Sequence, residues 1–206
     1  MSTLLHIIAT PRGEASRALN ISHSFLDEFM RGVPPRSVDE LDLFSTDLPE
    51  ITPGRITGKF QLLAGGELDQ QAKIEWAAIE PHITRFLAAD AYLVTVPMWN
   101  FGIPYRLKHY LDVIVQPRHL FMYTENGPVG LVRNKKMVIV STRGGDYSAA
   151  PQFDFVVPYL RTVFGFVGIM DVTVITAQPM DAGGPDVCAK AVAAAQQEAA
   201  AAARRF

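Results

Sequence analysis

The first segment with candidate binding residues spans positions 10–18 and leads into a helical pattern. The N–H groups of a helix's first turn lack intrahelical partners and bind anions readily, and Thr10 and Ser16 add hydroxyl donors. This arrangement predicts a site for a phosphate monoester. The alternative is an ordinary N-cap at Ser16. The segment is neither Gly-x-Gly-x-x-Gly nor a Walker loop, so a dinucleotide or a triphosphate is not the first expectation.

A second segment, at positions 97–102, places Met98, Trp99 and Phe101 directly after an apolar run. These side chains are costly to expose and suit a flat aromatic ring, and Asn100 offers both a donor and an acceptor to the edge of a heterocycle. The alternative is a loop packed beneath neighbouring elements.

A third segment, at positions 141–145, ends in Gly144 and Gly145 after another apolar run. Paired glycines let a backbone approach a ligand closely, and their N–H groups would stabilise negative charge on it. The alternative is a plain turn.

Other chemistries lack their residues. There is no Gly-x-Ser-x-Gly elbow for a nucleophilic serine, and the five histidines show no metal-ligand spacing. His6 lies within an apolar run and is interpreted as a core or sheet residue. We therefore expect no metal and no catalytic side chain, with the chemistry carried by a bound cofactor.

Apolar runs and helical spacings alternate along the chain, which predicts a parallel sheet with helices on both faces. We expect an α/β, flavodoxin-like, doubly wound sheet of five parallel strands in the order 2-1-3-4-5. Ligands then sit at the carboxyl ends of the strands, beside the switch point between the first and third strands, where the three segments meet. The predicted strands are 4–9, 37–43, 91–96, 136–140 and 171–176, and the predicted helices after the first are 70–89, 104–114, 152–164 and 186–205.

The chain of 206 residues is expected to form one domain, 1–206, with an excursion at 44–69 and a small ribbon at 119–132. A net charge of −2 gives no electrostatic case for nucleic acid or an anionic membrane. Cys188 is the only cysteine, so no internal disulfide can form. No apolar run has the length of a signal sequence or a membrane span, and we expect a cytoplasmic protein.

Taken together, the segments resemble the FMN-dependent NADH-azoreductases, which are also NADH:quinone oxidoreductases of flavodoxin-like fold. The similarity extends nearly from end to end, and four motifs in the same order carry it. These motifs are 97–104 with Leu107, Lys108 and 110–112; 123–128 with Gly130 and Leu131; 142–145; and 159–160 with 164–169.

The resemblance implies non-covalent FMN, with NADH or NADPH as the electron donor and quinones or azo compounds as acceptors. It implies ping-pong, two-electron transfer through flavin N5. The phosphate would be held by Thr10, Ser16, Arg17 and Ala18. The isoalloxazine would be lined by Met98, Trp99, Asn100, Phe101, Thr142, Arg143, Gly144 and Gly145.

The resemblance also implies a homodimer whose active sites lie at the interface, with Tyr123 and Phe166 near the part that the partner covers. The sequence departs from the family pattern, in which serine is common at the positions of Thr10, Ala18 and Thr142, tyrosine at that of Trp99 and histidine at that of Tyr147. Tyr147 is therefore predicted to bind the acceptor in place of a histidine, and FMN affinity and substrate range are expected to differ.

Two other functions stay open. A flavodoxin-type electron carrier would need a strongly acidic surface, which a net charge of −2 does not provide. A flavin-free α/β protein, such as a regulator or a hydrolase, is the other, since fold alone does not fix function. The choice between NADH and NADPH also stays open, with Arg55 and Lys59 as candidates for contacting a 2′-phosphate.

Overall fold

The computed structural model describes residues 2–33 and 35–206. Their main sheet has five parallel strands, and two further strands form a separate antiparallel ribbon. The strands of the main sheet are β1 (Ser2–Ile8), β2 (Arg36–Asp42), β3 (Ala91–Pro97), β6 (Lys136–Thr142) and β7 (Asp171–Ala177), and those of the ribbon are β4 (Phe121–Thr124) and β5 (Gly127–Gly130).

The order of the main sheet is β2-β1-β3-β6-β7. The predicted order, 2-1-3-4-5, did not number the ribbon. The ribbon lies between β3 and β6 in the chain and takes the numbers four and five, so the last two strands of the sheet become the sixth and seventh. β2 pairs with one side of β1 and β3 pairs with the other, so the strand order reverses between β1 and β3. A ligand site is expected at the carboxyl ends of these two strands.

Side chains cap the first three helices, at Ser16, Thr52 and Asp69. Ser16 caps α1 by accepting a hydrogen bond from the Leu19 N–H at 3.3 Å. No helix among residues 2–33 and 35–206 is both long and apolar enough to cross a membrane. The helices are α1 (Arg17–Met30), α2 (Pro53–Leu63), α3 (Gln70–Trp76), α4 (Glu80–Ala88), α5 (Tyr105–Ile114), α6 (Val156–Val167) and α7 (Pro185–Ala203).

Two apolar clusters fill the interior. One contains side chains of α1 and α7, and the other contains side chains of α4, α5 and α6. Alternate residues of β3 belong to different clusters, because successive side chains of a strand point to opposite faces of the sheet. Leu93 lies in the first cluster, whereas Tyr92 and Val94 lie in the second.

The excursion at 44–69 is more regular than the sequence predicted, because it contains α2. Gly58 lies inside this helix, where a Cβ would come within 2.4 Å of the Trp76 indole nitrogen. Glycine is needed there for the close approach of a buried tryptophan, and a single sequence does not reveal this contact.

The predicted helix at 70–89 is wrong in one respect, because it is two helices, α3 and α4. Pro81 explains the division, since it lies in the first turn of α4, where its missing N–H breaks no hydrogen bond. Pro158 lies in the first turn of α6 for the same reason. That helix begins at Val156 rather than at the predicted 152, after a short 3-10 turn at Pro151–Phe153.

Candidate active site

The loop after β1 presents two buried hydroxyls beside the start of α1. Thr10 and Ser16 are each 3% exposed. The Thr10 hydroxyl oxygen accepts a hydrogen bond from the Arg12 N–H at 3.4 Å, and Ser16 accepts the N-cap bond described above. Because both oxygens act as acceptors in these bonds, both hydroxyl protons remain available to a ligand.

The loop after β3 is a tight turn held in an unusual backbone conformation. Trp99 and Gly102 exchange two backbone hydrogen bonds, each 2.9 Å long. Between them Asn100 has φ 47° and Phe101 has φ 69°, the positive values of a type I′ turn. Such values cost about 1 kcal/mol or more for a bulky residue. The turn leaves the Phe101 side chain 49% exposed at the edge of the sheet.

The loop after β6 packs against the loop after β7 through Gly144. The Gly144 carbonyl accepts hydrogen bonds from the N–H groups of Asp181 and Ala182, at 2.9 and 3.1 Å. A Cβ on Gly144 would lie 2.9 Å from the Asp181 carboxylate. The glycine at position 144 therefore permits a close approach between two loops.

Arg143 does not extend its side chain into solvent. Its guanidinium is fully buried and forms two hydrogen bonds with one Asp154 oxygen, at 3.0 and 2.7 Å. The other Asp154 oxygen accepts the N–H of Val156 at 3.0 Å, which ties the pair to the start of α6. The neighbouring Phe155 N–H donates to the Phe101 carbonyl at 3.0 Å. The turn after β3, the loop after β6 and α6 are thus joined in one network.

The three predicted segments converge on a cavity of about 190 Å³. Four predicted cofactor residues do not line it: Ala18, Asn100, Phe101 and Gly145. Asn100 lines an adjoining, wider cleft of about 750 Å³, which shares Trp99 with the cavity and is walled by α5 and α6. The cavity is lined by Thr10, Arg12, Ser16, Arg17, Pro97, Met98, Trp99, Thr142, Arg143, Gly144, Met180 and Asp181.

Sequence reasoning missed four of these lining residues: Arg12, Pro97, Met180 and Asp181. Met180 and Asp181 belong to the loop after β7. Because β7 is the parallel neighbour of β6, the carboxyl ends of both strands lie at the same edge of the sheet. That topology was the available signal. Asp181 forms a 2.7 Å ion pair with Arg17, and this hydrogen bond raises the pKa of the Arg17 guanidinium.

The residues predicted to bind the acceptor are divided between two places. Tyr147 packs edge-on against Phe101, with ring centroids 6.4 Å apart. Tyr123 and Phe166 both pack on Phe121, at 5.9 and 4.7 Å, and line neither the cavity nor the cleft. Among the described residues of a single chain, none of the three predicted acceptor residues lines the cavity or the cleft, and Tyr147 contacts the turn after β3 only through Phe101.

The two basic candidates for a 2′-phosphate also lie elsewhere, in a separate cavity of about 280 Å³. The Arg55 guanidinium donates to the backbone carbonyls of Glu50 and Glu75. Burial lowers the pKa of the Lys59 ammonium. Neither side chain reaches the cavity of the three loops or the adjoining cleft.

Comparisons with known proteins agree with this geometry. Residues 2–203 match a family described by its flavodoxin-like fold. An FMN-dependent NADH:quinone oxidoreductase of Nitratidesulfovibrio vulgaris is 36% identical over 201 residues, which is 96% of each chain. The azoreductase structure from Bacillus anthracis str. Sterne superposes with a TM-score of 0.89 at 30% identity, covering 100% of both chains.

A further solved structure contains a ligand. It is an FMN-dependent NADH-azoreductase from Bacillus anthracis str. Ames Ancestor in complex with FMN, with a TM-score of 0.84 and 26% identity over 98% of this chain and 100% of that one. Sequence identity and coverage together decide the assignment. The chain belongs to the family of FMN-dependent NADH:quinone oxidoreductases and azoreductases with the flavodoxin-like fold.

Proposed function

We propose that this chain binds FMN non-covalently and transfers two electrons from NADH, or from NADPH, to quinones, and that it also reduces and cleaves azo compounds. Family membership supports the proposal. The observation that carries it is the cavity itself, which brings two hydroxyls and a helix N-terminus together with Trp99 and a glycine backbone. A phosphate group suits the first set of groups, and a flat heterocycle suits the second.

The donor set at the phosphate end fits a phosphate monoester. Thr10 and Ser16 each retain a free hydroxyl proton, and the backbone N–H groups of Arg17 and Ala18 are in the first turn of α1, where they lack intrahelical partners. Ala18 lacks the hydroxyl of the serine that is common at this position in the family pattern, but its backbone N–H does not depend on the side chain. Arg12 and Arg17 supply positive charge.

The opposite end fits the flavin ring. Gly144 has no side chain to fill the space between its backbone and the cavity, and the Arg143–Asp154 pair holds that backbone in place. Bound FMN would supply the two-electron chemistry, accepting hydride at N5 and passing the electrons on. The backbone N–H of Gly144, which lines the cavity, would stabilise negative charge on the ring.

The wide cleft beside Trp99 would receive the nicotinamide and the acceptor in turn. Its walls include Phe155 and Tyr159, and burial raises the pKa of the Tyr159 phenol, which keeps it protonated near neutral pH. One cleft that serves both substrates predicts ping-pong kinetics, because the first product must leave before the acceptor enters. Intersecting double-reciprocal lines would contradict this order of events.

We further propose that the chain works in the cytoplasm as a homodimer with each cleft at the interface. In a single chain Tyr105, Tyr123 and Phe155 are 66%, 62% and 57% exposed, which is a large amount of aromatic surface to leave in water. A second copy would cover this surface and place its own Tyr123 and Phe166 near the cleft. Sedimentation of the purified protein tests the assembly, and a monomer at micromolar concentration would refute it.

The direct test of the function is an absorbance spectrum of the purified protein with added FMN, followed by anaerobic NADH and then a quinone. We expect perturbed flavin bands that bleach with NADH and return with the quinone. Bands that do not respond to NADH would favour an electron carrier. Free-flavin bands throughout would favour a flavin-free protein.

A further inference from the structure

An acidic side chain, that of Asp181, lines the cavity that is otherwise suited to an anion. One Asp181 oxygen is 2.7 Å from the Arg17 guanidinium, and the other lies 2.9 Å from the position that a Cβ of Gly144 would occupy. The carboxylate therefore lies between the start of α1 and the loop after β6. A dianionic ligand in this cavity would have it as a neighbour.

The backbone holds Asp181 at this position. The Met180 N–H donates to the Arg143 carbonyl at 2.8 Å, and the N–H groups of Asp181 and Ala182 donate to the Gly144 carbonyl. The loop after β7 is thus tied to the loop that lines the cavity. The Asp181 side chain itself is 72% exposed, so it can rotate without disturbing these bonds.

The charges around the cavity show what the carboxylate does. Arg143 lines the cavity but is neutralised by Asp154, which leaves Arg12 and Arg17 as the cations facing an anion. Asp181 already occupies the guanidinium of Arg17. A phosphate dianion must therefore share Arg17 with a carboxylate and must also accept its repulsion, whereas an uncharged ligand end does neither.

We propose that Asp181 determines how strongly this site distinguishes a phosphorylated flavin from an unphosphorylated one. Its charge weakens binding of the phosphate end and leaves binding of the ring end unchanged. Asp181 is thus a specificity residue that keeps FMN exchangeable. The inference rests on the proposed function, since it assumes that the cavity holds FMN.

The test is a fluorescence titration of apo-protein with FMN and, separately, with riboflavin, which lacks the phosphate. The variant is Asp181→Asn, which removes the charge and keeps an oxygen that can accept from Arg17. We expect FMN to bind about tenfold more tightly to this variant at low ionic strength, with the gain shrinking in salt, and riboflavin to bind as before. Asp186→Asn, an exposed position on the first turn of α7, is the charge-matched control and is expected to change neither affinity appreciably.

Unchanged FMN affinity in Asp181→Asn would overturn the inference. Equal weakening of both flavins would also overturn it, because the carboxylate would then be bonding to the sugar-alcohol chain common to the two ligands. These results leave the proposed function intact, since the wild-type protein still binds FMN. Wild-type protein that binds neither flavin would overturn both proposals.

Discussion

Two arginine–aspartate pairs border the same cavity and have the same shortest distance, yet their surroundings differ. Arg17 and Asp181 meet at 2.7 Å with side chains 36% and 72% exposed. Arg143 and Asp154 also meet at 2.7 Å, but their side chains are 0% and 19% exposed. The first pair joins two elements at the surface, whereas the second joins a loop to the start of α6 beneath it.

The difference shows that distance alone does not define the role of an ion pair. An exposed pair contributes little to stability because water screens it and can replace either partner. Breaking a buried pair leaves a buried charge that neither a partner nor water stabilises, so the pair fixes the relative positions of the two elements that it joins. The exposed pair can therefore respond to a ligand, while the buried pair keeps the ligand's surroundings in place.

Breaking the buried pair should give the largest effect. Asp154→Ala leaves the Arg143 guanidinium buried without a partner and removes the acceptor of the Val156 N–H, so we expect the free energy of unfolding to fall by about 3 kcal/mol. Urea unfolding of the FMN-free protein measures it. Asp154→Asn keeps an acceptor and should lose less. A change below about 0.5 kcal/mol in Asp154→Ala would show that this pair behaves like an exposed one.

Among the described residues, His6 is a buried titratable group without a charged partner, and it makes the stability of the protein depend on pH. Burial, and to a lesser extent nearby His23, lowers the pKa of His6 from 6.5 to about 3. The unfolded chain then binds the proton first, so stability falls as pH drops from about 6.5 towards about 3, by about 1.4 kcal/mol per pH unit.

His6→Leu should remove this part of the acid sensitivity. Thr95, which bonds to the His6 ring at 2.8 Å, keeps its 2.6 Å hydrogen bond to Ser22 in that variant. Urea unfolding at pH 7 and pH 5 measures the slope. An unchanged slope in His6→Leu would mean that other groups cause the acid loss.

The turn after β3 is strained at Phe101, which has a positive φ. Phe101→Gly removes a bulky residue from positive φ, and this relief should offset the lost ring contacts to Tyr147 and Phe153, so stability should change by less than about 1 kcal/mol. Phe155→Ala is the matched control, because Phe155 is similarly exposed but has φ −93° and gains no relief. A Phe101→Gly variant that loses as much stability as this control would refute the strain.

The smallest change in stability is expected for the exposed pair. Asp181→Asn should alter the free energy of unfolding by less than about 0.5 kcal/mol, since both partners are solvated. Thermal melts of the FMN-free variant beside Asp154→Ala make the contrast direct. Comparable losses in the two variants would remove the distinction between the pairs.

Much of this arrangement could be predicted from local pattern. Apolar runs located the strands of the main sheet, Ser16 marked the start of α1, and the topology brought the loops after β1, β3 and β6 to one edge. These features depend on neighbours in sequence and on the general rules of parallel sheets.

What could not be predicted depends on contacts between distant residues. Position 58 of α2 is a glycine because Trp76 packs against it, and Asp181 lines the cavity because its loop bonds to Gly144. The inward direction of the Arg143 side chain follows from Asp154, eleven positions away. No local pattern in the sequence reports such pairings.

A crystal structure of the protein grown with FMN would test the proposed site most directly. We expect the phosphate within hydrogen-bonding distance of Thr10 and Ser16, the ring between Trp99 and the Gly144 backbone, and Arg143 still paired with Asp154. Flavin density located elsewhere, or an Arg143 side chain released from Asp154 to contact the ligand, would contradict this expectation.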